Sequence, residues 1–300
     1  LMNANYRYML PAIIIGLAGM VIMGLVWHRF FRKIGIDTPL RKSVQMFMAG
    51  NLMNSVTPLG PFGGEPFMAY IVSSNTDSSY EKSLSAVISS DIVLAVPFIT
   101  FLLAGIVYMS IFGFLENLMT QMIIISVVSM SLLLLAAYLL WFDGDRVQRV
   151  LNRIADFSGR FGGEESDITS RLKEKVQGFR EALEKVGDNP RELFVTVIVS
   201  HLSAITDMIA LYFVILAIGV EPMLMPIYMT VTIGTLGYFS PTPGGSGTFE
   251  AVFSFLMLFF FQSVSPDQAV AAAILFRVAT YWVRLPPGYI SLLFLRSPDR

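Results

Sequence analysis

The chain has 300 residues, of which 54% are hydrophobic and 14% charged, with a formal net charge of −1 and a mean hydropathy of +0.64. Soluble domains carry about 25% charged residues, so a water-soluble globular fold is excluded, and the near-neutral charge gives no reason to expect a nucleic-acid partner. There is no cysteine, which rules out disulfides and thiolate metal sites, and the two histidines, His28 and His201, are too far apart for a familiar zinc motif. Neither a metal nor another cofactor is expected.

Residues 8–27, YMLPAIIIGLAGMVIMGLVW, are apolar over the roughly 20 residues that a bilayer crossing needs. The apolar runs are long and continuous rather than short and alternating, which points to helices and not strands. The expected fold is all-α, a polytopic helical membrane protein. The first span, 8–28, is followed by a loop carrying Arg29, Arg32, Lys33, Arg41 and Lys42, which the positive-inside rule places in the cytoplasm. The stretch 43–75 is apolar in two short arms separated by TPLGPFGGEP. Each arm is too short to cross at about 1.5 Å per residue, so a re-entrant broken hairpin is expected there. Spans follow at 83–112 and 118–142, completing a first membrane half over 1–142.

Residues 143–192 hold ten Lys/Arg and eleven Asp/Glu, about half of the chain's charge, and read as a cytoplasmic linker with amphipathic helices. The second half, 193–300, opens with a span at 193–219 and closes with one at 267–295, and between them 222–263 must start and finish on the outer side. This segment also breaks in its middle, at SPTPGGSGTFE. Pro58, Gly63 and Gly64 mark the first break; Pro241, Pro243, Gly244 and Gly245 mark the second. Span, broken hairpin and span thus recur with opposite orientation, the pattern of inverted-repeat transporters.

The stretches GNLMNSVTPLGPFGGEPFMAY, YFSPTPGGSGTFEAVF and LFRVATYWVRLPPGY resemble the lysylphosphatidylglycerol synthase transmembrane (flippase-like) family, which includes the flippase domain of the bacterial multiple peptide resistance factor. The resemblance implies lipid translocation in a prokaryotic plasma membrane, with a phospholipid or a lipid-linked glycan as the partner. It does not imply lipid synthesis, because the soluble aminoacyl-transferase domain of the resistance factor has no counterpart here. Where the family often carries Glu-Arg and then Asp after the first break, this chain reads SLSAVISSDIVLAV and keeps only Asp91. The family also usually has one more helix upstream, which fits the Leu start and points to residues before it.

Ionisable side chains inside membrane spans are costly and usually functional. The candidates for a headgroup-binding cavity are Glu65, Asp91, Asp207, Glu250 and Arg277. Each also has a plainer reading. Glu65 and Glu250 sit where a carboxylate caps a helix, and Asp91 or Asp207 paired with Arg277 would make a static buried salt bridge. The glycines suit either an anion-binding backbone nest or close packing. Arg284 and His201 read as structural, and Tyr238, Phe239, Phe62 and Phe67 as core packing or the wall of an acyl path. No catalytic residue or ATP-binding motif is evident, so a transporter is expected over an enzyme. The alternatives are an intramembrane enzyme using paired carboxylates, or an accessory subunit docking through the linker. Self-association into a homo-oligomer is compatible with the sequence.

Overall fold

The computed structural model describes residues 5–57, 64–111, 190–238, 240 and 242–295. The expected span 118–142, nearly all of the linker, Phe62, Phe239 and the break residues Pro58, Gly63 and Pro241 lie outside the described residues. Within them the chain is all-helical, with no strand. The helices are α1 (Met9–Ile34), α2 (Leu40–Val56), α3 (Glu65–Asn75), α4 (Tyr80–Ile111), α5 (Pro190–Ala217), α6 (Leu224–Gly234), α7 (Thr248–Phe260), α8 (Pro266–Thr280) and α9 (Leu285–Leu295). Among the described residues four stretches are long and apolar enough to cross a membrane: Tyr6–Ile34, Tyr80–Tyr108, Phe194–Ala217 and Pro266–Leu295.

The elements begin and end where local chemistry directs. α1 runs six residues past its expected end at 28, because Phe30, Phe31 and Ile34 continue its buried face. It stops at Gly35 with φ +78, whose amide and that of Ile36 bond back to Arg32 and Phe31. This is the left-handed glycine stop of a helix. α8 opens with a reciprocal cap, Ser265 Oγ accepting from the Gln268 amide at 3.3 Å and Gln268 Oε1 from the Ser265 amide at 3.0 Å.

The last span is not one uninterrupted helix, as the apolar run 267–295 had suggested. It breaks at Tyr281 (φ −118, ψ −63) and passes through a 3-10 turn, Trp282–Arg284, before α9. Pro286 and Pro287 explain the break. Neither can donate a backbone hydrogen bond, and their rings crowd the carbonyls one turn back.

Among the described residues the buried side chains form two cores. One gathers Trp27, Phe30 and Phe31 of α1 with Met46, Phe47, Met68, Val72 and Val87 of α2, α3 and α4. The other gathers Leu211 and Ile215 of α5 with Ile227, Phe249, Phe253, Ala273 and Phe276 of α6, α7 and α8. Phe253 stacks on Phe276 with centroids 4.8 Å apart. α1 serves both cores, since Met9 and Ala12 lie in the second and Met20 to Ile34 in the first.

Without water to drive association, helices in lipid hold together through close packing at small residues. A Cβ added to Gly16 would overlap the Ala279 carbonyl oxygen, and one at Gly24 would lie 2.9 Å from Val44 Cα. Gly16→Ala is therefore expected to force α1 and α8 apart. The cost is about 1–3 kcal/mol, read as a lower thermal midpoint of the detergent-solubilised protein. An unchanged midpoint would show that this backbone contact does not hold the two helices.

Candidate functional site: a buried arginine where the helix breaks meet

The second break is a compact polar knot between α6 and α7. A 3-10 turn, Thr235–Tyr238, ends the α6 arm, and a second one, Pro243–Gly245, precedes α7. Gly244, Gly245 and Gly247 have φ of +58, +70 and +86, a region where residues with a Cβ are strained. Hydroxyls link the knot. Thr242 Oγ1 donates to the Ser246 carbonyl at 2.9 Å, and Ser240 Oγ lies 2.9 Å from both Thr242 Oγ1 and Thr248 Oγ1. Because the Thr242 proton is engaged, the chain of donors runs Thr248 to Ser240 to Thr242 to Ser246.

Arg277 is driven into this knot from α8. Its side chain is 1% exposed; two guanidinium nitrogens donate hydrogen bonds, and the third, Nε, makes a close ion-pair contact without hydrogen-bond geometry. Nε lies 3.1 Å from Glu250 Oε1, Nη1 donates to the Gly244 carbonyl at 2.6 Å, and Nη2 donates to Ser246 Oγ at 3.4 Å. The guanidinium carbon sits 3.9 Å from the Tyr281 ring centroid, 5.2 Å from Phe249 and 5.7 Å from Tyr238, within cation–π range of each. Glu250 also acts at the helix start, where its Oε2 accepts from the Gly247 amide at 2.7 Å and caps α7.

This arrangement decides two readings that the sequence left open. Arg277 pairs with Glu250, and not with Asp91 or Asp207. The backbone nest is not open to an anion, because the amides of Gly245, Ser246 and Gly247 are bonded to the Thr242 carbonyl, the Pro243 carbonyl and Glu250. The glycines serve close approach. A Cβ on Gly245 would come 2.7 Å from the Gly237 carbonyl oxygen, and one on Gly244 would overlap the Tyr281 hydroxyl.

Tyr281 carries the site to the first half of the chain. Its ring covers Arg277, and its hydroxyl donates to the Ser55 carbonyl at 2.9 Å. Ser55 lies in the last turn of α2, just before the first break, and α2 also touches the Pro243–Gly245 turn. At the far side of that break Gly64 sits so tightly that an added Cβ would overlap Asn54 Oδ1. The ends of the two interrupted helix pairs therefore meet, with Tyr281 between them.

The other candidates occupy separate places. Arg284 Nη2 donates to Asp207 Oδ1 at 2.7 Å, and Arg284 Nε donates to the Gly16 carbonyl at 3.0 Å. Arg284 is thus an internal partner joining α5, α1 and the turn before α9, not a side chain reaching for the interface. Asp207 also lines a cavity of about 130 Å³ between α1, α4, α5 and α6. Asp91 lies on α4 near the Trp27 indole and the like-charged Glu65, and its Oδ2 is buried without a hydrogen-bond partner among the described residues. Glu65 occupies the first turn of α3. His201 is held at both ring nitrogens, by the Val197 carbonyl and Thr100 Oγ1, each at 2.7 Å. Tyr238 packs on Phe249 with centroids 4.5 Å apart, whereas Phe67 is 51% exposed and is not core.

Sequence reasoning passed over Tyr281, Arg284 as an ion-pair partner, Ser55 and Ser246. A signal for two of these was present. Arg277, Tyr281 and Arg284 stand at i, i+4 and i+7 in RVATYWVR, a spacing that places them on one helical face.

Residues 1–288 match the family described as the lysylphosphatidylglycerol synthase TM region. The chain is also similar along its length to UPF0104 membrane proteins. Identity is 23% over 299 residues with one from Methanothermobacter thermautotrophicus, covering 99% of this chain and 88% of that protein. It is 24% with one from Pyrococcus horikoshii, covering 98% and 88%, and 25% with one from Methanocaldococcus jannaschii, covering 99% and 87%.

Proposed function

The chain belongs to the lysylphosphatidylglycerol synthase TM-region family and is an integral membrane protein, and from this premise we propose that it moves the polar headgroup of a membrane lipid between leaflets. The observation that carries the reading is the meeting of two interrupted helix pairs, one from each half, around a buried arginine. Polar backbone at membrane depth persists only where protein or a water-filled route covers it. Two such breaks built against each other make a route with apolar lipid outside and polar groups within.

In this reading α2 with α3, and α6 with α7, are re-entrant hairpins of an inverted repeat, entering from opposite faces of a prokaryotic plasma membrane. The helices suit this: α3 and α6 have 11 residues each and α7 has 13, about 16–20 Å at 1.5 Å per residue, and α2 with 17 reaches about 26 Å, all short of the roughly 30 Å hydrocarbon core. The arrangement described is the closed one. Rocking one half against the other separates Tyr281 from Ser55 and uncovers Arg277. A lipid phosphate then takes Glu250's place on the guanidinium, while Glu65, Asp91 and Asp207 line the remainder of the polar route. The substrate is a phospholipid or a lipid-linked glycan, with acyl chains remaining in the bilayer.

The test is leaflet exchange of fluorescent phospholipids and glycolipids in proteoliposomes. Exchange above that of protein-free liposomes is expected for at least one headgroup class. Tyr281→Phe keeps the ring on Arg277 but removes the bond to Ser55, and is expected to change the exchange rate about two- to tenfold, the worth of one hydrogen bond. No exchange for any headgroup would defeat the proposal.

A further inference from the structure

Away from the breaks, a basic surface forms where α1 gives way to α2. Arg29, Arg32 and Lys33 lie near the end of α1, Arg41 and Lys42 lie in the first turn of α2, and only Gly35 to Pro39 separate the two helices. The helices pack antiparallel here. His28 Nδ1 lies 3.1 Å from Ser43 Oγ, and a Cβ added to Gly24 would lie 2.9 Å from Val44 Cα. Both basic groups therefore stand at one end of the pair. Lys82, in the first turn of α4, is drawn to the same end, where its Nζ donates to the Gly35 carbonyl at 2.8 Å.

Most of this charge is not neutralised within the protein. Arg29 is paired with Glu192 at 2.7 Å, whereas Arg32, Arg41 and Lys42 make no ion pair among the described residues. Arg32 and Arg41 are exposed and Lys42 is half-buried. The acids nearest in the chain are Asp37 and Glu81, both exposed, and residues 29–42 hold five Lys/Arg against one Asp. The first turn of α2 has neither an acid nor a side-chain cap, so the helix dipole adds to the positive potential there. A cytoplasmic orientation asks for cations at this end, but it does not ask that three of them stand without an acid while a fourth is paired. The apolar span of α1 ends at Ile34, which puts these side chains at the level of lipid headgroups. Leu40, 43% exposed, stands beside Arg41, an apolar side chain next to cations as in segments that lie at the interface. Four to eight Lys/Arg at the end of a span attract anionic lipid. We infer that Arg32, Arg41 and Lys42 bind the phosphate headgroup of an anionic phospholipid at the membrane surface.

The position gives such a lipid leverage on the breaks. α2 runs from this surface to Ser55, whose carbonyl accepts from the Tyr281 hydroxyl at 2.9 Å. A lipid held at the start of α2 anchors the arm whose other end meets the second break. Its effect on translocation rests on the function proposed above, although its binding does not.

The purified full chain in detergent gives the test, titrated with short-chain phosphatidylglycerol, phosphatidylcholine or inorganic phosphate. Phosphatidylglycerol at about ten times its half-saturating level is expected to raise the thermal midpoint by about 3 °C, and the zwitterionic lipid and free phosphate to raise it little. In the triple variant Arg32→Gln, Arg41→Gln, Lys42→Gln, the phosphatidylglycerol needed for half the shift should increase about 100-fold, each cation contributing about fivefold. Equal shifts from the two lipids, or a shift that the triple variant keeps, would overturn the proposal. A shift that inorganic phosphate reproduces would make the ligand a free anion and overturn the lipid assignment. The comparison of lipids on the unaltered protein decides the matter even if the variant fails to fold. Proteoliposomes separate this inference from the proposed function. A phosphatidylglycerol shift without leaflet exchange in any lipid mixture overturns translocation and leaves the lipid contact standing. Exchange equally fast with and without phosphatidylglycerol, with no thermal shift, does the reverse.

Discussion

Arg277→Met is expected to be the most damaging single substitution in the described part of the chain. Arg277 is 1% exposed, and its three nitrogens engage Glu250, the Gly244 carbonyl and Ser246. Removing one member of a buried ion pair leaves its partner's charge uncompensated, at about 3–5 kcal/mol. Glu250 is 29% exposed, so solvent offsets part of this and the lower end of the range applies. Arg277→Lys keeps the charge but lacks the planar fork that reaches Gly244 and Glu250 at once, so it should fall between. Adding Glu250→Gln to Arg277→Met removes the orphaned charge and should recover a good part of the loss. The chain has no cysteine, which makes Ser55→Cys a clean reporter at the α2 end of the link to Tyr281. Its thiol should label about tenfold faster in the Arg277→Met background, the factor that 1.4 kcal/mol of local opening gives. A midpoint and labelling rate both unchanged would mean that Arg277 does not hold the break.

The architecture was legible wherever one segment's own composition decides it. The long apolar runs of α1, α4, α5 and α8–α9 gave the candidate spans, and proline and glycine between short apolar arms located the ends of α2 and α6 and the starts of α3 and α7. Glu250 as a cap for α7 could likewise be read from its place in the first turn after GGSG. What could not be read was which charges meet. Arg277 and Arg284 have the spacing of one helical face in the sequence, and from it either could reach an acid on the second half. The choice between them is made elsewhere. Gly16 and Gly19 let α1 lie so close to α8 and α5 that Arg284 meets both the Gly16 carbonyl and Asp207, while the turn at Gly244 brings a carbonyl and Glu250 to Arg277. Such pairings depend on contacts between residues far apart in the chain, which periodicity does not carry. The interruption at Tyr281 is a different case. LPPG was in view, but the apolar run through it favoured a continuous helix.

The pairings also divide the labour between the two ion pairs. Arg277–Glu250 closes within the second half, so it sets the shape of one break. Arg284–Asp207 also closes within the second half, but Arg284 adds a bond to the Gly16 carbonyl of α1, which serves both cores. A rearrangement of the halves would therefore strain the Arg284–Gly16 and Tyr281–Ser55 bonds and leave both ion pairs internal to the second half. The segment from Arg277 to Arg284, with Tyr281 in its middle, joins the two.

Gly244→Ala is expected to rank next in cost, for two separable reasons. Gly244 has φ +58 and ψ +18, a left-handed conformation that costs a residue with a Cβ roughly 1–2 kcal/mol. Its Cβ would also overlap the Tyr281 hydroxyl and lie 2.7 Å from Tyr281 Cε2, and relieving such overpacking costs about 1–3 kcal/mol. Gly219 isolates the first term, because it has φ +74 and nothing within 4 Å of an added Cβ. Gly219→Ala should therefore cost only the conformational part, and Gly244→Ala about twice as much or more. The steric term should then shrink in a Tyr281→Ala background, where no ring stands over the turn. A double-mutant cycle on the thermal midpoint measures that coupling, and leaflet exchange measured on the same variants shows whether pushing Tyr281 off Ser55 opens the route. If Gly244→Ala costs no more than Gly219→Ala, the Tyr281 ring gives way freely and does not hold the two breaks together.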